Sequence, residues 1–242
     1  MQPLRWPGSE TAAPRTVRFD YRKFVYPDLY DPNESLLCNR YKSHGVVIER
    51  YQQPQPLKHW NVLADPELER RMKHFYQRLS TSVLCRRSVW GYSKPALQTR
   101  ILDAYRNVNQ ALASGNLKLA EPFVSEQMLP RLAGEVSRRG RVAVKWEMVD
   151  PQPQPGDVQL VLGGVVQNPL KQGRLHFVQW TARIASRQRV AVYDSKGSVI
   201  AGDPDKVLDV VDYWVFERPI LKALAVPRPG PQGADWRLVE RL

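Results

Sequence analysis

The chain has few of the residues on which catalytic and metal sites usually depend. Its 242 residues include two cysteines, Cys38 and Cys85, and four histidines. The cysteines lie far apart and no third or fourth ligand accompanies them, so their spacing indicates neither a secreted disulfide framework nor a zinc site. No two histidines have the i, i+4 spacing of ligands on one helix face. A reducing compartment and the absence of a bound metal are the simplest interpretations.

Sequence patterns for nucleophilic or phosphate-binding chemistry are also absent. There is no G-x-S-x-G elbow, and the Gly163-Gly164 pair lies inside a predicted strand with no helix after it. Aspartates at 203, 205, 209 and 212 lack the spacing of a calcium loop. They are most simply solvent-facing residues of a strand, and a pair of acid and base carboxylates is the alternative. We therefore predict no enzymatic activity, no cofactor and no small-molecule substrate.

No hydrophobic run approaches the roughly 18 residues that a membrane-spanning helix requires. The first 19 residues contain three arginines, but they also contain three prolines and Glu10. They are a poor match to an amphipathic targeting sequence. A removed presequence or a weak targeting signal would both agree with this composition.

Positive charge, in contrast, is plentiful. Lysine and arginine outnumber aspartate and glutamate by 36 to 24, and the isoelectric point is about 9.9. Residues 61–140 are the most basic third, with 13 basic and 7 acidic side chains. Such an excess permits binding to nucleic-acid phosphates or to an anionic membrane surface. The candidate RNA- or partner-binding residues are Arg18, Arg22, Lys23, Arg70, Arg71, Lys73, Arg78, Arg86, Arg87, Arg138, Arg139 and Arg141.

The first 62 residues are interpreted as an extended N-terminal arm, and residues 63–242 as the folded domain. Seven prolines punctuate the arm and no periodicity persists in it, yet "FDYRKFVYPDLY" is rich in aromatic residues. A segment of this composition orders by lying on another surface. We predict that this surface belongs to a partner, with the chain's own domain as the alternative.

Three helices are predicted after the arm. The first covers residues 66–87, with Asp65 as N-cap, Pro66 at the first helical position and one apolar stripe of Leu68, Met72, Phe75, Leu79 and Val83. Its arginines lie off that stripe and form either a solvated face or a ridge that meets phosphates. The second helix begins after Ser93, with an apolar stripe of Leu97, Ile101, Tyr105, Val108 and Leu112. A third covers residues 125–139, where Pro130 bends the helix or marks its true start.

The pattern changes to strands beyond residue 140. "VAVKWEMVD" alternates, and "DVQLVLGGVV" reads as a second strand with a bulge or sharp coil at its glycines. "RLHFVQWTARIASRQ" is a third strand, "RVAVYD" and "SVIAG" form a hairpin around Gly197, and "VLDVVDYWVFERP" and "DWRLVERL" complete the series. Helices followed by an antiparallel meander define an α+β fold.

The ordered series of these segments resembles a known domain. "VKWEMVDPQPQPGDVQLV", the hairpin with its acidic connector and "YWVFE" strand, and the closing "DWRLVERL" are similar to the Tim-forty-four-like domain superfamily. "ILDAYRNVNQALASGNLKLAEPFVSEQML" is similar to its helical part, so the resemblance covers about residues 95–242. Arg187, Gln188, Ala191 and Tyr193 favour the mitochondrial large-ribosomal-subunit group, the L-forty-five type, over the presequence-translocase group.

The resemblance implies helices packed on a strongly curved antiparallel sheet, the cone of nuclear-transport-factor-like proteins. It also implies a structural component of the mitochondrial large ribosomal subunit near the polypeptide exit, anchoring the ribosome to the inner membrane and assisting co-translational insertion. The implied partners are mitochondrial ribosomal RNA and large-subunit proteins, with peripheral contact to the inner membrane or insertase. The implied location is the matrix side of that membrane.

Two other functions remain open at this point. One is a protein-only scaffold, such as an import-motor tether or an accessory subunit of a respiratory-chain complex. Residues 1–60 contain no heptads, which counts against the tether. The other is an enzyme built on the same cone, which would need a cavity that presents aspartate and histidine together.

Overall fold

The computed structural model describes residues 43–56, 65–89, 91–140, 142–149, 155–167, 175–221 and 235–242. Of the predicted partner-binding residues, Arg18, Arg22, Lys23 and Arg141 lie outside these ranges. Within the ranges, three α-helices precede five antiparallel strands. The α+β class is therefore confirmed. The elements are α1 (Pro66–Ser88), α2 (Lys94–Ser114), α3 (Met128–Arg138), β1 (Ala143–Met148), β2 (Val158–Gln167), β3 (Leu175–Tyr193), β4 (Val199–Leu221) and β5 (Arg237–Arg241).

The helix ends follow their local sequence. The Asp65 carboxylate accepts a hydrogen bond from the Glu67 amide at 2.9 Å, and the Ser93 hydroxyl accepts one from the Ala96 amide at 3.2 Å. The third helix begins at Met128, and Ser125 caps it through the Met128 amide at 3.2 Å. Pro130 thus falls in the first turn, where its missing N–H costs no hydrogen bond. Pro130 marks the start of α3.

The sheet is organised around the long strand β3. On one side β3 pairs with β2 at residues 176–184 and with β1 at residues 188–193, and on the other side it pairs with β4. β4 pairs in turn with β5 at residues 214–217. Both β3 and β4 are longer than predicted, because each joins two expected strands across a register shift. The turn between them has Gly197 at φ 82°, as the hairpin prediction requires.

The acidic connector of the hairpin is part of β4. Gln188 pairs with Leu208 and Val190 pairs with Asp203, so residues 204–207 form a bulge within one strand. The two strands predicted on either side of "DPDKV" are therefore wrong as separate elements. A bulge accommodates extra residues without ending the pairing of the two strands. The "DPDKV" segment therefore marks an irregularity within β4 and not the end of a strand.

The resemblance predicts a strongly curved sheet, but the observed sheet is not strongly curled. β1 and β2 occupy successive halves of the same β3 edge, and β5 pairs with only the inner part of β4. Closure into a cone requires continuous pairing and coiling across the whole sheet. Register shifts in three of the four ladders bend single strands locally but leave the sheet open.

The main core lies between α2, α3 and one sheet face. Ile101, Val108 and Leu132 from the helices are completely buried, as is Phe216 from β4. Tyr105 packs against Trp214 with ring centroids 4.7 Å apart and the rings tilted by 53°. Aromatic rings of this size contribute large buried apolar areas, and this cluster holds the helical layer on the sheet.

Candidate partner-binding surfaces

The first helix presents its predicted apolar stripe to solvent. Met72, Phe75, Leu79 and Val83 are 40–53% exposed, whereas His74, Thr81, Cys85 and Ser88 are buried. The prediction of a helix is confirmed, but the stripe does not cover the domain's core. The apolar spacing identified a real helix face, and that face points away from the sheet.

Close packing against β2 explains which face of α1 turns inward. A Cβ on Gly163 would lie 2.8 Å from the Thr81 Cβ and 2.9 Å from the Trp180 ring. Glycine is therefore needed where α1 approaches the strand, and small side chains such as Thr81 suit the contact. A face of phenylalanine and methionine could not come as near. The close fit of small side chains at Gly163, and not the hydrophobicity of the stripe, therefore determines which face of α1 packs on the sheet.

The α1 outer face is defined here as Met72, Phe75, Tyr76, Leu79 and Val83. Tyr76 is 60% exposed and extends the stripe by one residue. Arg78, Arg86 and Arg87 are exposed on the same helix. Exposed apolar patches with charged borders are typical of interaction surfaces. Among the described residues no helix is long and apolar enough to cross a membrane.

Several predicted binding residues of α1 hold a neighbouring segment instead. Arg70 pairs with Glu67 at 2.5 Å and donates to the Gln52 side chain at 2.7 Å. Arg71 donates to the Gln55 carbonyl at 2.6 Å, and Lys73 pairs with Glu49 at 2.9 Å. These bonds fasten residues 49–55 along the helix. Three of the predicted cations thus have structural partners.

The other predicted cations divide between exposed and structural positions. In the ranges that the structure covers, Arg78, Arg86 and Arg87 have no carboxylate partner. Arg138 donates to the Gly134 carbonyl at 3.2 Å, within its own helix. Arg139 donates to the Leu112 carbonyl, which joins the end of α3 to α2. Arg78, Arg86 and Arg87 are thus exposed predicted cations for which the described residues supply no carboxylate partner.

The described part of the N-terminal arm lies on the chain's own domain. Glu217 is 3% exposed, and its carboxylate accepts from the Ser43 hydroxyl at 2.7 Å and the His44 amide at 3.0 Å. Gln179 accepts from the Ile48 amide at 3.0 Å and donates to the Val46 carbonyl at 2.9 Å. This buried pair anchors residues 43–48 to β3 and β4. The surface that residues 1–42 contact stays a prediction.

A stack of aromatic rings forms where this anchored segment meets the sheet and α1. Tyr51 lies between His74 and Tyr213, with centroid distances of 6.0 Å and 5.2 Å. Burial is the main cause that raises the pKa of Tyr51, and nearby Tyr213 adds to it, while Arg78 and Arg183 act in the opposite direction. Burial also lowers the pKa of His74. Sequence reasoning missed this site because its members come from three distant segments.

A polar cleft of about 270 Å³ lies between α3, β4 and β5. Ion pairs of Arg131 with Glu240 and of Arg241 with Glu135 cross it. Asp212 lines the cleft and accepts a hydrogen bond from the Tyr105 hydroxyl at 2.5 Å. Burial raises the pKa of Tyr105, and Asp212 raises it further. The cleft lining contains no histidine among the described residues, so the aspartate–histidine pair that an enzyme would need is not assembled there.

No group of three or more histidine, cysteine, aspartate or glutamate side chains with metal-binding geometry occurs in the described ranges. Cys85 is a buried free thiol, and burial raises its pKa to about 11. Such a thiol is protonated near neutral pH and is a poor nucleophile or ligand. Cys85 therefore contributes packing between α1 and the sheet.

Comparison with protein families connects this architecture to a known domain. Residues 164–241 match the family model described as the Tim44-like domain. The match runs from the middle of β2 through β5 and includes the hairpin and the "YWVFE" strand. It covers the sheet region for which the sequence predicted the same superfamily.

Curated relatives agree with this match. The chain is 29% identical over 159 residues to large ribosomal subunit protein mL45 of Caenorhabditis elegans, covering 64% of this chain and 42% of that protein. It is 23% identical over 202 residues to mL45 of Drosophila melanogaster, covering 82% and 51%. It is 21% identical over 225 residues to mL45 of Bos taurus, covering 81% and 70%. The chain thus spans about half the length of the first of these relatives.

These relatives carry the names of ribosomal proteins and not of enzymes, in agreement with the predicted non-catalytic role. The shared segment includes the helical layer as well as the sheet, since most of the chain aligns with the fly and bovine proteins. The chain is therefore similar to the mL45 proteins over most of its length, and its residues 164–241 match the Tim44-like domain model.

Proposed function

We propose that the protein is a structural component of the mitochondrial large ribosomal subunit, located near the polypeptide exit. In that position it anchors the ribosome to the inner membrane from the matrix side and assists co-translational insertion. The similarity to several mL45 proteins supports the ribosomal assignment. Its partners there are ribosomal RNA and large-subunit proteins, which residues 1–42 of the arm help to contact.

The exposed outer face of α1 is the observation that carries the membrane part of this proposal. Phe75 and Leu79 are 50% and 53% exposed on a domain that otherwise buries its large aromatic residues well. Exposed Arg86 and Arg87 on the same helix supply the positive charge that an anionic phospholipid surface attracts. A helix of this kind lies in the interface plane of a bilayer and does not span it.

Sedimentation of mitochondrial lysate tests the ribosomal assignment. We expect the chain to migrate with the large subunit at low salt and to be released as the salt concentration rises, because phosphate contacts are screened. Migration in a small complex at low salt would contradict the proposal. A respiratory-complex accessory subunit or an import-motor tether would give that result.

Flotation with phospholipid vesicles tests the membrane assignment. Phe75→Ser combined with Leu79→Ser should weaken binding to anionic vesicles by about 10- to 100-fold, because membrane binding buries only the exposed half of each side chain and full burial contributes about 1.5–3 kcal/mol. Val199→Ser combined with Ile200→Ser is the matched control, because these residues are 47% and 55% exposed on the hairpin. Equal vesicle binding of the two double variants would contradict the assignment of membrane binding to the α1 outer face.

A further inference from the structure

The ring stack consists of His74, Tyr51 and Tyr213, with the His74 ring tilted by 37° against Tyr51. His74 is 8% exposed, while Tyr51 and Tyr213 are half-buried. The two tyrosine rings are 26° from parallel with centroids 5.2 Å apart. Among the described residues, Tyr51 is the ring that contacts Tyr213. Tyr213 therefore ends the ring stack with one ring face that no other described ring covers.

Two guanidinium groups border this ring stack. Arg183 is the cross-strand partner of Tyr213 and lies on the same sheet face. Arg78 projects from α1, close enough to act on the Tyr51 hydroxyl as Arg183 does. Neither arginine has a carboxylate partner in the part of the chain that the structure describes. Arg70 also acts on Tyr51, but Glu67 and Gln52 already engage it.

The acidic side chains around this site have other partners. Glu49 lies 3.8 Å from the His74 Nε2 and pairs with Lys73 at 2.9 Å. Asp212 follows from the opposite sheet face and is bound to the Tyr105 hydroxyl. Asp209 shares the face of Tyr213, but its cross-strand partner is Arg187. The ring stack thus combines a half-buried tyrosine ring with two cations that have no acidic partner in the described ranges. The carboxylates of an acidic peptide would pair with the two arginines but would not stack on the Tyr213 ring.

We propose that Tyr213, Arg78 and Arg183 form a binding site for an unpaired ribonucleotide segment. A base stacks on Tyr213 and continues the ring stack, while neighbouring phosphates pair with Arg78 and Arg183. Aromatic rings beside arginines are the usual means by which proteins hold single-stranded RNA. This site deepens the proposed function, because it assigns residues to the ribosomal RNA contact.

The test is fluorescence anisotropy of the full chain with a labelled single-stranded RNA of about 12 nucleotides, within the site sizes known for such surfaces. Tyr213→Leu should weaken binding by about 5- to 100-fold, the effect of losing one stacked base. Tyr213→Phe should retain binding, because it keeps the ring. Tyr193→Leu is the matched control, since Tyr193 is half-buried like Tyr213 but lies outside the ring stack.

The charges are tested by salt dependence. Arg78→Gln and Arg183→Gln should each lower the slope of log affinity against log salt by about 0.7, as expected for one lost phosphate contact on a single strand. Polyphosphate should compete poorly with RNA, and duplex RNA should bind less well than the single strand. Equal binding of Tyr213→Leu and Tyr193→Leu would overturn the proposal, as would tighter binding of an acidic peptide.

The result of the RNA-binding experiment does not depend on whether the chain is a component of the large ribosomal subunit. The anisotropy experiment uses purified protein, whereas sedimentation of the wild-type chain tests the assignment to the large subunit. Loss of the RNA effect with normal sedimentation rejects this site and keeps the proposed function. Normal RNA binding without sedimentation on the large subunit rejects the proposed function and keeps the site.

Discussion

The helices α1 and α2 carry similar apolar stripes and use them in opposite ways. In α2, Ile101, Tyr105 and Val108 are at most 1% exposed and form the centre of the core. In α1, the stripe is about half exposed, and the buried face consists of small or polar residues such as Thr81 and Ser88. The same apolar spacing therefore marks a core face in α2 and a solvent-exposed face in α1, so the spacing predicts a helix but not what covers it.

The largest expected effect is on α2. Ile101→Ala should lower the free energy of unfolding by about 2–5 kcal/mol, because a completely buried side chain leaves a cavity. Leu79→Ala on α1 should change it by less than about 0.5 kcal/mol, since the side chain is 53% exposed. Urea denaturation of both variants measures the difference. Similar losses would mean that the isolated domain buries the α1 stripe after all.

A second prediction concerns the close approach of α1 to β2. Gly163→Ala should destabilise the protein by about 1–3 kcal/mol, because its Cβ would meet Thr81 and Trp180 below 3.0 Å. Gly164→Ala is the control, since its Cβ meets the flexible end of Ile48 at 3.3 Å. Gly164→Ala should lower the free energy of unfolding by clearly less than Gly163→Ala, as measured by thermal or urea unfolding. Equal costs would show that the glycine pair serves strand geometry and not helix packing.

The smallest effect is expected at the anchor of residues 43–48. Glu217→Gln should weaken the bonds to Ser43 and His44, with a loss of about 1 kcal/mol for exchanging charged for neutral hydrogen bonds. The anchored segment should then open more often, so trypsin should cleave faster after exposed Arg50. Glu240→Gln, which removes a surface pair with Arg131, should leave that cleavage unchanged. Unchanged cleavage in both variants would contradict the anchoring role.

Local sequence was sufficient where the signal and the structure involve the same few residues. Residues close in sequence determine several features: the caps Asp65 and Ser93, the start of α3 near Pro130 and the turn at Gly197. The continuity of β4 through residues 204–207 did not follow, because a proline–aspartate cluster has the composition of a break. Pairing with β3 on either side keeps the strand continuous.

The candidate sites depended still more on tertiary contacts. Arg70, Arg71 and Lys73 were predicted with Arg78 as one basic surface, but residues 49–55 engage the first three. The stack of Tyr51 and Tyr213 brings together residues that lie far apart in the chain. No spacing rule connects such positions, because loop closure is decided by the whole fold.

The sequence by itself determined the α+β order, the helix ends, the basic character and the relationship to the Tim44-like domain. These properties depend on composition, short-range hydrogen bonding and periodicity. Only the tertiary structure decided which face of α1 is free, which arginines have partners and where Tyr213 lies. The reason is steric and electrostatic. Gly163 admits the small face of α1, and groups of residues 49–55, such as Glu49 beside Lys73, engage some cations while others have no carboxylate partner among the described residues.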